Sequence, residues 1–358
     1  MVNITRLLNP DGDAFPGDRT RYGPQTSPPA VVWHVTGDCN LRCRHCYAAL
    51  GAESPGPMSP GEAFEFIGLL RDLGPPALLF SGGEPLASPD FFPYLAKAFS
   101  SGIKTAVSTN GVLIDGSAAR EMARLGVRYA GVSIDGVGRV NDLFRGIPGA
   151  FRKAVNGIEA LASNGCRAGL RVTLTRPLLP HLESILILAL DLPVSRICFY
   201  HFIPAGRGAS DGGLMPDHDE EKLAVSRVIG WASALEENDK GRLLEVLTVG
   251  DPSDGVLTYE YLRKNAPGRS EAARALLTRQ AARGASGIVS VRWDGALFPN
   301  QFSWGAHPGS WRDLSEAKSL GKGGRFYSEP PCRASCRWQD MCAGREGRPC
   351  MASDGKSA

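Results

Sequence analysis

Short apolar runs punctuate the first two thirds of the chain, with stretches of helical periodicity between most of them. Residues 31–35, 77–80, 104–108, 129–134, 168–173 and 197–202 read as buried strands. Helical patterns fall over residues 59–73, 90–100, 117–125, 151–163 and 217–237. The first is the clearest. Ser59 can cap it, Pro60 suits its first turn, and Glu62 completes a Ser-x-x-Glu capping box. Phe64, Ile67, Leu70 and Leu73 then recur on one face. Alternating strands and helices predict a parallel sheet with right-handed crossovers. The expected fold class is α/β, a partial (βα)6 TIM-like barrel in which the loops after the strands carry the chemistry.

The flanks follow different patterns. Residues 1–27 contain Gly and Pro without a period and read as an extended N-terminal lead-in. The barrel then occupies residues 28–235. Over residues 236–358 the pattern is irregular. A strand-like piece and a polar turn at residues 250–255 share the stretch 244–262, and residues 272–282 look helical. Residues 288–293 and 296–298, around Asp294-Gly295, predict a hairpin. The last stretch is rich in Gly, Arg and Cys and too poor in apolar residues for a core, so it reads as a small metal-cluster module.

Charge narrows the function classes. Forty basic and 37 acidic residues leave a net charge of +3, too slight an excess to point to nucleic acid. The longest apolar run, residues 185–190, is far too short to span a bilayer, and residues 1–20 lack the apolar core of a signal peptide. The expectation is a cytoplasmic protein without a membrane partner. Nine cysteines change the picture more. Three lie within residues 39–46 and four within residues 332–350, which in a cytoplasmic chain suggests metal ligation or catalysis. Cys166 and Cys198 stand alone in apolar surroundings and read as small buried hydrophobes.

The first cluster, Cys39, Cys43 and Cys46, has the spacing Cys-x3-Cys-x2-Cys directly after the first strand. Three thiolates so close together can wrap one four-iron cube and leave one iron open to a ligand. Zinc is the alternative, with His45 or His34 as a fourth donor. The next three strands also end in small or polar residues. Gly82, Gly83 and Glu84 follow the second strand, where glycines permit close backbone approach and a carboxylate can accept from an ammonium. Ser108 and Ser133 end the third and fourth strands, where hydroxyls suit a ribose or a carboxylate. Tight Gly-Gly, Asn-Gly and Asp-Gly turns are the alternative explanation of the same residues.

With these segments in order, the chain resembles the radical S-adenosylmethionine superfamily. The resemblance implies that Cys39, Cys43 and Cys46 hold a [4Fe-4S] cluster whose open iron binds S-adenosyl-L-methionine. Reductive cleavage of that cofactor then yields a 5′-deoxyadenosyl radical, as in oxidoreductases and lyases of this family. It further implies cofactor contacts at Gly82, Gly83, Glu84, Ser108 and Ser133, and at Arg145, which matches an Arg placed on the cofactor carboxylate. The segment 204–207, Pro-x-Gly-Arg, would lie near the adenine. An electron donor such as flavodoxin or ferredoxin is an implied partner.

The second cluster, Cys332, Cys336, Cys342 and Cys350, supplies enough thiolates for a fully ligated auxiliary [4Fe-4S] cluster or for structural zinc. It resembles the C-terminal SPASM and twitch modules of the superfamily. The closest likeness is to the haem-modifying branch, which acts on didecarboxysirohaem on routes to haem and to d-type haem. It rests on residues 169–175, 205–208, 248–256, 285–288 and 298–302. Arg283-Gly284, Asn300 and the short tail depart from that branch. The implied substrate is a sirohaem-derived tetrapyrrole, with Arg171 and Arg207 as forks for its carboxylates or, alternatively, as structural ion-pair partners. The alternatives are a peptide or protein maturase acting on a peptide substrate, and a non-catalytic zinc or iron–sulfur scaffold.

Overall fold

The structure, a computed structural model, describes residues 1–10, 28–48, 56–238, 244–281, 287–302, 309–318, 336–338 and 340–342. Strand β1 (Val2–Asn3) and helix α1 (Ile4–Leu8) open the chain. The alternation expected from the sequence follows: β2 (Ala30–His34), α2 (Pro60–Leu73), β3 (Leu78–Ser81), α3 (Phe91–Ser100), β4 (Thr105–Thr109), α4 (Gly116–Arg124) and β5 (Val127–Ser133). Next come α5 (Arg139–Arg145), α6 (Ala150–Ser163), β6 (Arg167–Leu174), α7 (Leu182–Asp191), β7 (Val194–His201) and α8 (His218–Asn238). The remaining elements are β8 (Glu245–Val249), α9 (Ser253–Asn265), α10 (Pro267–Ala281), β9 (Ile288–Val291), β10 (Ala296–Phe298) and β11 (Gly309–Ser310).

One sheet runs in the order β1-β8-β7-β6-β5-β4-β3-β2-β9-β10-β11. The neighbours from β8 through to β9 are all parallel. This is the α/β partial barrel with its strands buried, which is why they read as near-continuous apolar runs. Val31, Trp33, Phe80, Val107, Val132, Leu170 and Phe199 fill its core. Trp33 packs against Phe66 with ring centroids 5.2 Å apart in an edge arrangement, locking α2 to β2. The α2 capping box forms as expected, and Gly74 in the left-handed region ends that helix.

Four differences from the sequence expectation have physical causes. Residues 2–8 are not an extended lead-in: Val2, Ile4, Leu7 and Leu8 are core, and β1 pairs antiparallel with β8. A segment so short carries too few turns to show a period. The buried face of α2 is Ala63, Phe66, Ile67, Leu70 and Leu73, leaving Phe64 on the rim. Helix α7 escaped detection because residues 185–190 are apolar throughout and so lack a polar phase. The boundary drawn at residues 235/236 is no break in the sheet, since β8 pairs with β7 and β9 pairs with β2. Six strands alone would leave both sheet edges unpaired, and these two strands cover them.

The expected hairpin is present as β9 and β10, antiparallel through Leu297 and Val291. The stretch read as a polar turn at residues 250–255 instead leads straight into α9, with Asp251, Ser253 and Asp254 all buried. Among the described residues no helix is long and apolar enough to cross a membrane.

Candidate active site

The segment after β2 carries Cys39, Cys43 and Cys46, and three glycine-bearing loops clasp it. In the first, Gly83 and Glu84 donate backbone N–H bonds to the carbonyls of Thr36 and Asp38, each at 2.8 Å. A Cβ at Gly83 would lie 2.1 Å from the Asp38 carbonyl oxygen. In the second, the backbone N–H groups of Arg42 and Arg44 donate to the carbonyls of Arg145 and Phe144. In the third, Arg207 N–H donates to the Cys46 carbonyl at 2.9 Å, and a Cβ at Gly206 would lie 2.5 Å from the carbonyls of Cys46 and Tyr47. Loop-on-loop packing therefore also calls for glycine at these positions, alongside the close approach to a ligand expected from the sequence.

The loop faces an open cavity. Cys39, Cys43, Cys46, Gly82, Gly83, Ser108, Ser133 and Arg145 all line it. The structure thus brings together all but one of the residues expected on the cofactor and the first cluster. The exception is Glu84. It is fully buried, does not line the cavity, and accepts hydrogen bonds from Thr109 Oγ1, Asn110 N and Leu86 N. Burial pushes its carboxyl up to about 7 against the pull of those donors. Its carboxylate ties the β3 loop to the β4 loop.

The donor set fits an iron–sulfur cluster. Burial pushes the Cys39 thiol up to about 11, and the neighbouring Cys43, Glu84 and Cys46 add to that rise while the Leu41 N–H opposes it. Burial likewise raises Cys43, opposed chiefly by Arg145. Neighbouring thiols ionise more readily when a cation compensates them, which a metal centre does. Hydrogen bonds already point at the sulfurs: Leu41 N to Cys39 Sγ at 3.4 Å, Asn110 Nδ2 to Cys39 Sγ at 3.9 Å, and Arg145 Nη1 to Cys43 Sγ at 3.6 Å.

Asp135 escaped the sequence reading, because Asp-Gly after a strand is indistinguishable from a turn. It is 1% exposed, accepts from Thr173 N at 2.8 Å, and pairs with Arg145 Nη2 at 2.5 Å. Arg145 thus bridges a buried carboxylate and the cysteine loop. His45, weighed as a zinc donor, stacks on Phe144 at 4.9 Å with Nε2 3.5 Å from Asp135. Burial pushes it down to about 4. His34 is fully buried in β2 and does not line the cavity.

A second buried network also went unseen. His201, at the end of β7, places Nε2 2.9 Å from Asp254 and Nδ1 3.4 Å from Glu221. Burial alone would lower its pKa, but Asp254, Glu221 and Asp251 outweigh it and raise it to about 10. The ring ties the β7 end to α8 and α9 through Glu221 and Asp254. Aromatic rings complete the cavity wall: Tyr47, Tyr200, Phe202 and Phe302.

Of the second cysteine cluster, Cys332 and Cys350 lie outside the described residues. Cys342 is buried, Cys336 is partly exposed, and between them Trp338 packs against Tyr259 of α9 at 5.9 Å. Cys166 and Cys198 are buried.

Known proteins resemble this chain in sequence and in fold. A sequence profile described as the Radical SAM superfamily matches residues 33–184. Fe-coproporphyrin III synthase of Methanosarcina barkeri is 35% identical over 371 residues, covering 96% of this chain and 92% of that protein. Pre-heme d1 synthase of Dinoroseobacter shibae is 36% identical over 244 residues, covering 68% of this chain and 60% of that protein. Among solved structures, Streptococcus suis SuiB bound to S-adenosylmethionine superposes with a TM-score of 0.66 at 13% identity, covering 91% of this chain and 75% of that one.

Proposed function

The chain belongs to the radical SAM superfamily, and from that premise we propose that it removes or modifies side chains on a sirohaem-derived tetrapyrrole. Membership makes it an enzyme that uses S-adenosylmethionine and a [4Fe-4S] cluster. The observation that carries the finer reading is the likeness to Fe-coproporphyrin III synthase along nearly the whole of both chains. The cavity supports it, because Tyr47, Tyr200, Phe202 and Phe302 offer flat apolar walls beside the cysteines, as a macrocycle requires.

Cys39, Cys43 and Cys46 would hold the cluster, which with S-adenosylmethionine supplies a 5′-deoxyadenosyl radical. Gly82, Gly83, Ser108, Ser133 and Arg145 line the space beside it and would hold the cofactor's polar groups. Glu84 and Asp135 act through others: Glu84 fixes Thr109 and Asn110, and Asp135 fixes Arg145. Cys332, Cys336, Cys342 and Cys350 would hold an auxiliary [4Fe-4S] cluster, and a flavodoxin or ferredoxin would deliver electrons.

The test is anaerobic incubation of reconstituted protein with S-adenosylmethionine, dithionite and didecarboxysirohaem, followed by mass spectrometry. A product lighter by lost side chains is expected. An unchanged tetrapyrrole, alongside modification of a peptide encoded next to this chain, would move the assignment to a peptide maturase. A colourless protein rich in zinc would move it to a scaffold.

A further inference from the structure

Arg171, on β6, lines the same cavity as the cysteine loop. Its surroundings differ from those of the other arginines packed into the barrel. Arg145 pairs with Asp135, Arg196 pairs with Glu245, and Arg207 donates to the Cys43 carbonyl. Arg171 has neither an ion pair nor a hydrogen-bonded side-chain partner among the described residues. What its guanidinium meets is the ring of Tyr200, 4.4 Å from the centroid.

The fold makes room for this arginine. Gly131, in the middle of β5, pairs with Gly169, two residues before Arg171 on the neighbouring strand, and the Arg171 side chain reaches back over it. A Cβ at Gly131 would fall 2.7 Å from Arg171 Cδ and 3.1 Å from Cγ. Gly131 is not among the glycines with positive φ, so no backbone requirement explains it. A mid-strand glycine costs about 0.5–1 kcal/mol relative to alanine, and here it lets the Arg171 side chain lie along the cavity wall. Withdrawing a guanidinium from water without a counter-ion is itself unfavourable. A cation held in place this way, facing a cavity and lacking a carboxylate, is matched to an anion that arrives with a ligand.

We propose that Arg171, braced by Tyr200 and given room by Gly131, is the anchor for a carboxylate of the substrate, and so selects ionised over esterified substrates. The inference rests on the tetrapyrrole reading above. Arg145, whose Nη1 is 3.6 Å from Cys43 Sγ, stands beside the cysteine loop and would serve the cofactor's own carboxylate. Sirohaem-derived macrocycles are ringed by carboxylates, so a flat apolar body and an anionic edge can both be met in one cavity.

The experiment titrates didecarboxysirohaem and its methyl ester into anaerobically reconstituted protein, following the visible spectrum. Wild type, Arg171→Gln and Arg171→Lys are compared, with S-adenosylmethionine affinity measured by equilibrium dialysis and iron content determined. Wild type should bind the acid well above the ester. Arg171→Gln should weaken the acid by about 30-fold or more and leave the ester unchanged. Arg171→Lys should recover part of the difference. Equal weakening of acid and ester would overturn the anchor role in favour of packing. Weakened cofactor binding with unchanged tetrapyrrole binding would assign Arg171 to the cofactor and overturn it as well. If wild type binds neither tetrapyrrole, the functional reading fails and this inference goes with it, whereas binding by wild type that Arg171→Gln leaves untouched sinks the inference alone.

Discussion

The Arg207 guanidinium donates a hydrogen bond to the backbone carbonyl of Cys43 at 2.7 Å, across 164 residues of sequence. The same residue's N–H holds the Cys46 carbonyl. A side chain that looked like a substrate fork is thus a brace on the cluster loop. Arg207→Ala should loosen the loop, lowering retained iron after desalting while thermal stability falls by about 1–3 kcal/mol. Full iron retention in this variant would contradict the brace.

Gly83→Ala tests the loop-on-loop packing more severely. The added Cβ would meet the Asp38 carbonyl oxygen at 2.1 Å, and backbone on both sides leaves little room to yield. We expect a loss of about 1–3 kcal/mol or more in chemical denaturation, and poor cluster reconstitution. Gly68, whose Cβ would meet open space, provides the control: Gly68→Ala should leave iron content unchanged.

Iron content tests both cysteine groups. Reconstituted protein should bind about eight irons, and replacing Cys39, Cys43 and Cys46 together by Ala should leave about four. Colorimetric iron and zinc assays on the same samples decide the matter. Stoichiometric zinc with almost no iron would overturn the assignment.

Cys336→Ala separates the two sites by activity. Turnover of the true substrate should fall, while 5′-deoxyadenosine formed without substrate should persist in part, since on the proposed reading the open iron would sit with Cys39, Cys43 and Cys46. Chromatography of both products reads the split. Equal total loss in a folded protein would argue against two distinct roles.

His201 links stability to pH. Its folded-state pKa is raised to about 10 from an ordinary value of 6.5, through Asp254, Glu221 and Asp251. A raised pKa means that the imidazolium's contribution is fully present below about pH 6.5 and is lost as pH rises through about 10. Urea denaturation from pH 6.5 to 10 should show wild-type stability falling by a few kcal/mol. His201→Gln should be less stable at pH 6.5 and show a flatter profile over that window. Parallel profiles would show that the imidazole is neutral in the folded protein.

Much of this protein is written locally. Strand positions, the α2 capping box, the β9–β10 hairpin and the cysteine spacing depend on residues close in sequence, and periodicity or motif reveals them. Cys39, Cys43 and Cys46 are legible as candidate ligands because thiols that could share one cluster sit on one short loop. What the sequence could not decide is how side chains of similar chemistry divide their partners. Arg145, Arg171 and Arg207 look alike in a string of letters. Tertiary packing sets the first on Asp135, leaves the second facing the cavity, and turns the third onto the Cys43 carbonyl. Glu84 and His201 show the same limit: their roles depend on burial and on donors or carboxylates from other elements. Residues 2–8 join the core through β8, some 240 residues away, and a contact of that range leaves no trace in local periodicity. The physical reason is common to all of these cases. Secondary structure is set by interactions within a few residues, whereas the charge state and partner of a buried polar group are set by whichever distant elements the fold packs against it.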